Sequence, residues 1–177
     1  MSFICSDLEP YPETDACVNF VGGMSKAVIV KAGVVVDPLS EAEVQAAITA
    51  GNAVLVESVL IDLPEASVVT QSPTIACETD NVVTYNRTIN MRDGKVVQAV
   101  KLFYDALNNS SGFRAGMVIV YECSENRQFV IDATVKFQGS MTKPGSDTEY
   151  QVFNYIGNWR SKTDPDMSAT LNPIFVN

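Results

Sequence analysis

Residues 117–137 read MVIVYEC-SENR-QFVIDATVKF, and this stretch decides the fold. Met117–Cys123 and Gln128–Phe137 are rich in valine, isoleucine and aromatic residues. Four polar residues, Ser124 to Arg127, separate them. Two β-branched runs around a short polar link predict an antiparallel hairpin.

The segments before this hairpin extend the pattern. Val96, Val97, Val100, Phe103, Tyr104 and Leu107 recur at helical spacing and predict an amphipathic helix of about three turns, ended by Asn108–Gly112. Val82–Met91 (VVTYNRTINM) predicts a strand with Val83, Tyr85, Arg87 and Ile89 on one face and Val82, Thr84, Asn86 and Thr88 on the other. Residues 64–80, with Pro64, Pro73 and several hydroxyl side chains, predict a long hairpin tip or loop. Ala53–Leu63 (AVLVESVLIDL) predicts a further strand. Ser40 and Glu43 have the spacing of a capping box, so a short helix should run to about Ala50, with Gly51 just past its end. Ser25–Val36 (SKAVIVKAGVVV) predicts a strand bent at Gly33. Residues 1–20, with Pro10, Pro12 and clustered acids, predict an extended arm.

After the hairpin, Gly139–Thr148 predicts a loop, Glu149–Trp159 a strand and Arg160–Asp166 a turn. Ser168–Val176 predicts a final edge strand limited by Pro173. The expected class is α+β, mainly β: an antiparallel β-sandwich or flattened barrel of about seven strands with one flanking amphipathic helix and one short helix. An arm over 1–20 and a single β domain over 21–177 make up the expected domain plan.

Composition narrows the function. The 177 residues contain no histidine, which excludes Ser-His-Asp and Cys-His catalysis and the usual histidine-containing zinc sites. The four cysteines, Cys5, Cys17, Cys77 and Cys123, form no CxxC. No P-loop, GxGxxG or GxSxG motif occurs. Asp164-Pro165-Asp166 offers two carboxylates but lacks the remaining ligands of a calcium loop and reads as a turn. No catalytic residue, metal or cofactor is expected. Phe153, Tyr155 and Trp159 could stack on a sugar ring or pack as strand core.

The net charge of −9 is uneven. Residues 1–80 carry −10 and residues 81–177 carry +1. An acidic face of this size either disperses the protein, repels an anion, or meets a basic face on a neighbouring copy. The start of the chain lacks the basic and apolar regions of a signal peptide, and no apolar run is long enough to span a bilayer, so synthesis in a cytoplasm without membrane insertion is expected.

The order of these segments resembles the tail-tube (major tail) protein family of tailed bacteriophages, particularly small versions from phages of Bacteroidetes, and is similar to the tubes of type VI injection systems. The features that carry the resemblance are an arm with Cys17 leading into Gly22-Gly23-Met24 and a strand, the Ala53–Leu63 strand, and a long loop through Asp80. The VVTYNRTINM strand, the Val96–Leu107 helix, the MVIVYEC/QFVIDATVKF hairpin and a closing strand follow. It covers roughly residues 17–160, and the helix near 40–50 departs from it.

The resemblance implies a structural virion protein of the phage tail. Its copies would form rings, hexameric in the family, that stack into a tube conducting DNA during ejection without binding it specifically. It would also touch other virion tail proteins. Asp62, Pro64, Glu65, Gln71, Pro73, Glu78 and Asp80 are then candidates for a ring-stacking loop, and Glu57, Asp62 and Glu65 for acids facing the lumen. A head–tail joining ring and a monomeric glycan-binding sandwich are the alternatives.

Overall fold

In the first of the strands a continuous apolar run, Ala27-Val28-Ile29-Val30, has every residue fully buried. Such a run needs cover on both faces of its sheet, and the rest of the fold provides it. The structure, a computed structural model, describes residues 24–71, 81–95, 97–108, 114–123, 125–142 and 152–176. The expected arm over 1–20 lies outside them.

Nine strands occur among the described residues: β1 (Met24–Lys31), β2 (Ala53–Asp62), β3 (Ser67–Gln71), β4 (Asn81–Asp93), β5 (Ala115–Glu122), β6 (Arg127–Ile131), β7 (Lys136–Thr142), β8 (Val152–Ser161) and β9 (Asp166–Ser168). Two α-helices accompany them, α1 (Glu41–Thr49) and α2 (Gln98–Asn108), with a 3₁₀ turn at Pro173–Phe175. All pairings are antiparallel, in the order β7-β8-β4-β2-β1-β5-β6-β9, with β3 also on β4.

The long strand β2 belongs to two sheets. Its first part pairs with β1, as in Val56 opposite Ala27, and its last residues pair with β4, as in Ile61 opposite Met91. One sheet is therefore β7-β8-β4 with β3 and the end of β2. The other is β2-β1-β5-β6-β9. On the far side, Val135 bridges to Ala115, with its N–H donating to the Ala115 carbonyl at 2.9 Å. The result is the mainly-β sandwich, flattened towards a barrel, that the alternation predicts.

The interior between the sheets holds Ile29, Val56, Ile61, Ile89, Met91, Val118, Val120, Phe137, Phe153, Tyr155 and Trp159. Helix α2 adds Val100, Phe103, Tyr104 and Leu107 to the same cluster and lies against β7. Tyr104 stacks on Tyr155 with ring centres 4.2 Å apart, and its hydroxyl donates to the buried Asp93 carboxylate at 3.0 Å. The predicted helical stripe is thus the stripe that is buried, with one correction. The helix begins at Gln98, so Val97 is exposed before it. Val96 lies outside the described residues.

A second apolar cluster covers the outer face of the β1-β5 sheet. It joins Val28, Val30, Ile119, Tyr121 and Val130 to Val44 and Ala47 of α1 and to Ile174 and Phe175. Phe175 stacks on Tyr121 at 5.5 Å. Asn172 and Gln128, both fully buried, anchor this closing segment: the Asn172 N–H donates to the Gln128 side-chain oxygen at 2.8 Å, and the Asn172 side-chain amide donates to the Pro38 carbonyl at 3.1 Å. Buried amides paired in this way cost little and fix one arrangement.

Helix α1 starts as expected. The Ser40 hydroxyl accepts from the Glu43 N–H at 3.4 Å, but the Glu43 carboxylate turns to the Asp37 N–H at 2.8 Å instead of completing the box with Ser40. Gly51 follows the helix at φ +71°, a left-handed position that suits glycine.

Four other expectations are corrected. About seven strands become nine. QFVIDATVKF is two strands, β6 and β7, because the chain crosses between sheets at 132–135. The first strand ends at Lys31, with Gly33 in a turn at φ +86° rather than in a bent strand. The expected final strand over 168–176 is a three-residue β9 followed by the 3₁₀ turn, whose apolar side chains plug the second core instead of alternating along a sheet edge.

Candidate assembly surface

The segment between β2 and β4 is not wholly a loop. Val68 pairs with Tyr85 and Gln71 with Asn81, which makes β3 and the start of β4 a hairpin. Strand β8 joins β4 only from Tyr85 onward, where Tyr85 faces Ser161. Residues 81–84 and their β3 partners therefore extend past the body of the sandwich as a two-stranded ribbon. Val83 is 42% exposed on it, and Val68, at its root opposite Tyr85, is 53% exposed. A lone two-stranded ribbon in water is marginal and needs a partner surface.

The residues singled out for stacking fall along this element. Asp62 ends β2 and accepts from the Asn90 side-chain amide at 3.0 Å. Pro64 and Glu65 are exposed in the link from β2 to β3. Gln71 ends β3. Pro73, Glu78 and Asp80 lie outside the described residues.

Glu57 sits elsewhere. It stands opposite Lys26 in the β1–β2 pairing, and the two form an ion pair at 3.4 Å. Lys26 is 4% exposed and also donates to the Phe175 carbonyl at 3.2 Å. Glu57 is thus engaged near the closing segment. Of the three acids expected to face a lumen, Asp62 and Glu65 stand exposed, both near the root of the ribbon.

The aromatic trio resolves in favour of packing. Phe153, Tyr155 and Trp159 are all buried between the sheets, so they offer no platform to a sugar ring. Burial, with the Asp105 charge as a smaller cause, pushes the Tyr155 phenol up to about 12 from an ordinary 10.0. The folded state favours neutral Tyr155, so this contribution is complete below pH 10 and is lost as pH rises from 10 to 12. Thermal melts by circular dichroism should fall in midpoint across that interval, and Tyr155→Phe should flatten the fall.

Asp164 is held by Arg87, with Nη1 at 2.5 Å from its carboxylate. The expected turn over Asp164–Asp166 is corrected at its end, where Asp166 opens β9 opposite Val130. Among the described residues no group of three acidic or cysteine side chains is placed to hold a metal. Cys123 is half-buried just after β5, and the other three cysteines fall outside the described residues. No described helix is long and apolar enough to cross a membrane.

Sequence reasoning placed the ribbon in the right segment but missed that it contains a strand. Ser67–Gln71 (SVVTQ) is short and lies in a proline-bounded, hydroxyl-rich stretch, and its β-branched trio Val68-Val69-Thr70 was the available signal. In comparison with known proteins, no family model, no curated protein and no solved structure matches the chain.

Proposed function

We propose that this chain is a non-catalytic structural subunit that assembles with copies of itself into rings, and that the rings stack into the tail tube of a virion, through which DNA passes. The observation that carries the reading is the β3–β4 ribbon. It projects beyond the sandwich with Val83 exposed on a two-stranded element of marginal stability and Val68 exposed at its root, and a neighbouring ring supplies the missing packing. The outer edges of β3 and β9 also lack a strand partner among the described residues. Open edges of this kind are suited to sheet extension across copies.

Other tail proteins would meet the same surfaces at the tube's ends. Asp62 and Glu65 keep their roles as stacking or lumen-rim acids in this reading.

The test is negative-stain microscopy of the purified protein across a concentration series. Wild type should form rings and stacked tubes, and length separates a tube from a joining ring. The double variant Val68→Asp/Val83→Asp should remain monomeric, with an unchanged circular-dichroism spectrum and a melting midpoint within a few degrees of wild type. Wild-type protein that stays monomeric at high concentration, with and without a nucleating tail protein, sinks the proposal.

A further inference from the structure

The sheet formed by β7, β8 and β4 has one buried face and one that is open among the described residues, and the open face has an unusual chemistry. Its outward residues are Asn86, Thr88, Asn90 and Arg92 on β4, Val152, Asn154, Ile156, Asn158 and Arg160 on β8, and Lys136, Gln138, Ser140 and Thr142 on β7. They line up in cross-strand rows. Thr88, Asn158 and Lys136 form one, Asn90, Ile156 and Gln138 the next, and Arg92, Asn154 and Ser140 a third, with Asn86 beside Arg160. No outward residue of these three strands is acidic, in a protein whose net charge is −9. Asp62, on the neighbouring β2, is the nearest carboxylate in the sheet and is bonded to Asn90.

Three cations therefore stand on a field of amides and hydroxyls. Arg92 and Lys136 form no ion pair among the described residues, and Arg160 donates to the Asn86 side-chain oxygen at 3.0 Å. From strand spacing, Lys136 and Arg160 lie about 8 Å apart, close enough for both to face phosphates of one nucleic-acid strand, which carries a charge every ~3.4 Å of helix axis. Amide and hydroxyl groups are the side chains that, with arginine and lysine, bond phosphate and sugar oxygens.

We infer that this open β7-β8-β4 face is a weak contact surface for the backbone of double-stranded DNA, with Arg92, Lys136 and Arg160 facing phosphates. The identity of the partner rests on the tube reading above; the place of contact rests on the face itself. A duplex fits better than a single strand because Phe137, Phe153, Tyr155 and Trp159 of this sheet are buried inside, and Tyr85 shares the inward register of β4 with Arg87, whose guanidinium lies over its ring. None is left on the open face to stack on an unpaired base.

Asp62 stands at the margin of this face, bonded to Asn90, and leaves the three cations in excess on it. The acids Asp37, Glu41 and Glu43 belong to α1 and its approach, which cover the opposite sheet. The two sheets and α1 together put them about 20 Å from the open face, more than two screening lengths at physiological salt. With only three cations per copy the contact is weak and reversible, which suits a molecule that slides past.

The test uses the full chain and a fluorescein-labelled 20-base-pair duplex of mixed sequence, read by anisotropy. Wild type should bind weakly at 50 mM salt, with affinity falling about 40-fold by 200 mM, as three phosphate contacts require. Arg92→Glu/Lys136→Glu/Arg160→Glu should lose at least tenfold in affinity at 50 mM, while Glu41→Gln, on the far side, should change it less than twofold. An unchanged affinity in the triple variant, or no salt-dependent binding by wild type, overturns the inference. So does sedimentation in which wild type self-associates without DNA and the triple variant does not, because the face then meets the α1 carboxylates of a second copy. Micrographs of the same samples keep the two readings apart. Tubes without duplex binding remove the DNA face and leave the tube; duplex binding without rings removes the tube and leaves the face.

Discussion

Tyr104→Ala should lower folding stability by about 3–5 kcal/mol, the range for deleting a large aromatic side chain from a packed core. Tyr104 is fully buried where α2 meets the inner face of the sandwich. Its ring stacks on Tyr155 and lies 5.2 Å from Phe153 and 5.0 Å from Phe103. Truncation removes these contacts together and opens a cavity among rigid neighbours. It also takes a donor from Asp93, a carboxylate with no solvent exposure. Tyr104→Phe separates the two effects. It keeps the ring and should cost about 1.5–3 kcal/mol, the worth of a hydrogen bond to a charged group. Urea unfolding of the three proteins gives the ordering directly. Equal midpoints for wild type and the alanine variant would show that α2 is not part of the core.

Gly139→Ala should be the other severe change, through excess volume rather than lost volume. A Cβ at this position would stand 2.1 Å from the Asn154 carbonyl oxygen and 2.8 Å from the Tyr155 Cα. Both are main-chain atoms of β8, the strand that β7 pairs with throughout, so no side-chain rotation relieves the clash. The two strands must separate locally, and β7, held mainly by β8 within the sheet, loses its register. Overpacking of this kind costs about 3 kcal/mol at the upper end of its usual range. Gly157→Ala should be milder though still destabilising, because its new methyl meets the ends of Ile89, Val135 and Phe137 side chains at 2.6–2.8 Å. Gly94, with open space around it, serves as the neutral control. Thermal melts should order the variants Gly94→Ala, Gly157→Ala, Gly139→Ala from most to least stable. A Gly139→Ala protein as stable as wild type would mean that β7 does not approach β8 as described.

The fold was legible where one physical signal acted alone. Alternation marked β4, a run of β-branched residues before a polar link marked β5, and a helical stripe marked α2. Ser40, Glu43 and Gly51 delimited α1 because capping is local chemistry. It was not legible where distant partners decide. Residues 132–135 carry no glycine or proline to show that QFVIDATVKF changes sheets, and the bridge from Val135 to Ala115 marks that crossing. Ile174 and Phe175 look like strand residues, yet their burial is set by Tyr121 and Lys26, far away in sequence. The open face was hidden for the same reason. Arg92, Lys136 and Arg160 stand far apart in sequence, and only the order β7-β8-β4 gathers them. The uneven charge of the two halves was visible from the start. What topology adds is that three strands of the near-neutral half lie side by side with no outward carboxylate among them, Asp62 of β2 standing at their margin.

The bond from Lys26 to the Phe175 carbonyl joins residues 149 positions apart. Strand β1 lies inside its sheet, between β2 and β5, but its outer face is sealed by residues synthesised long after it. The order of synthesis and the order of completion are therefore opposed. A nascent chain that has not yet released residues 172–175 keeps Lys26 without that acceptor and leaves Tyr121 without its stacking partner. A chain cut short of residues 172–175 therefore leaves the outer face of β1 and β5 uncovered and wet.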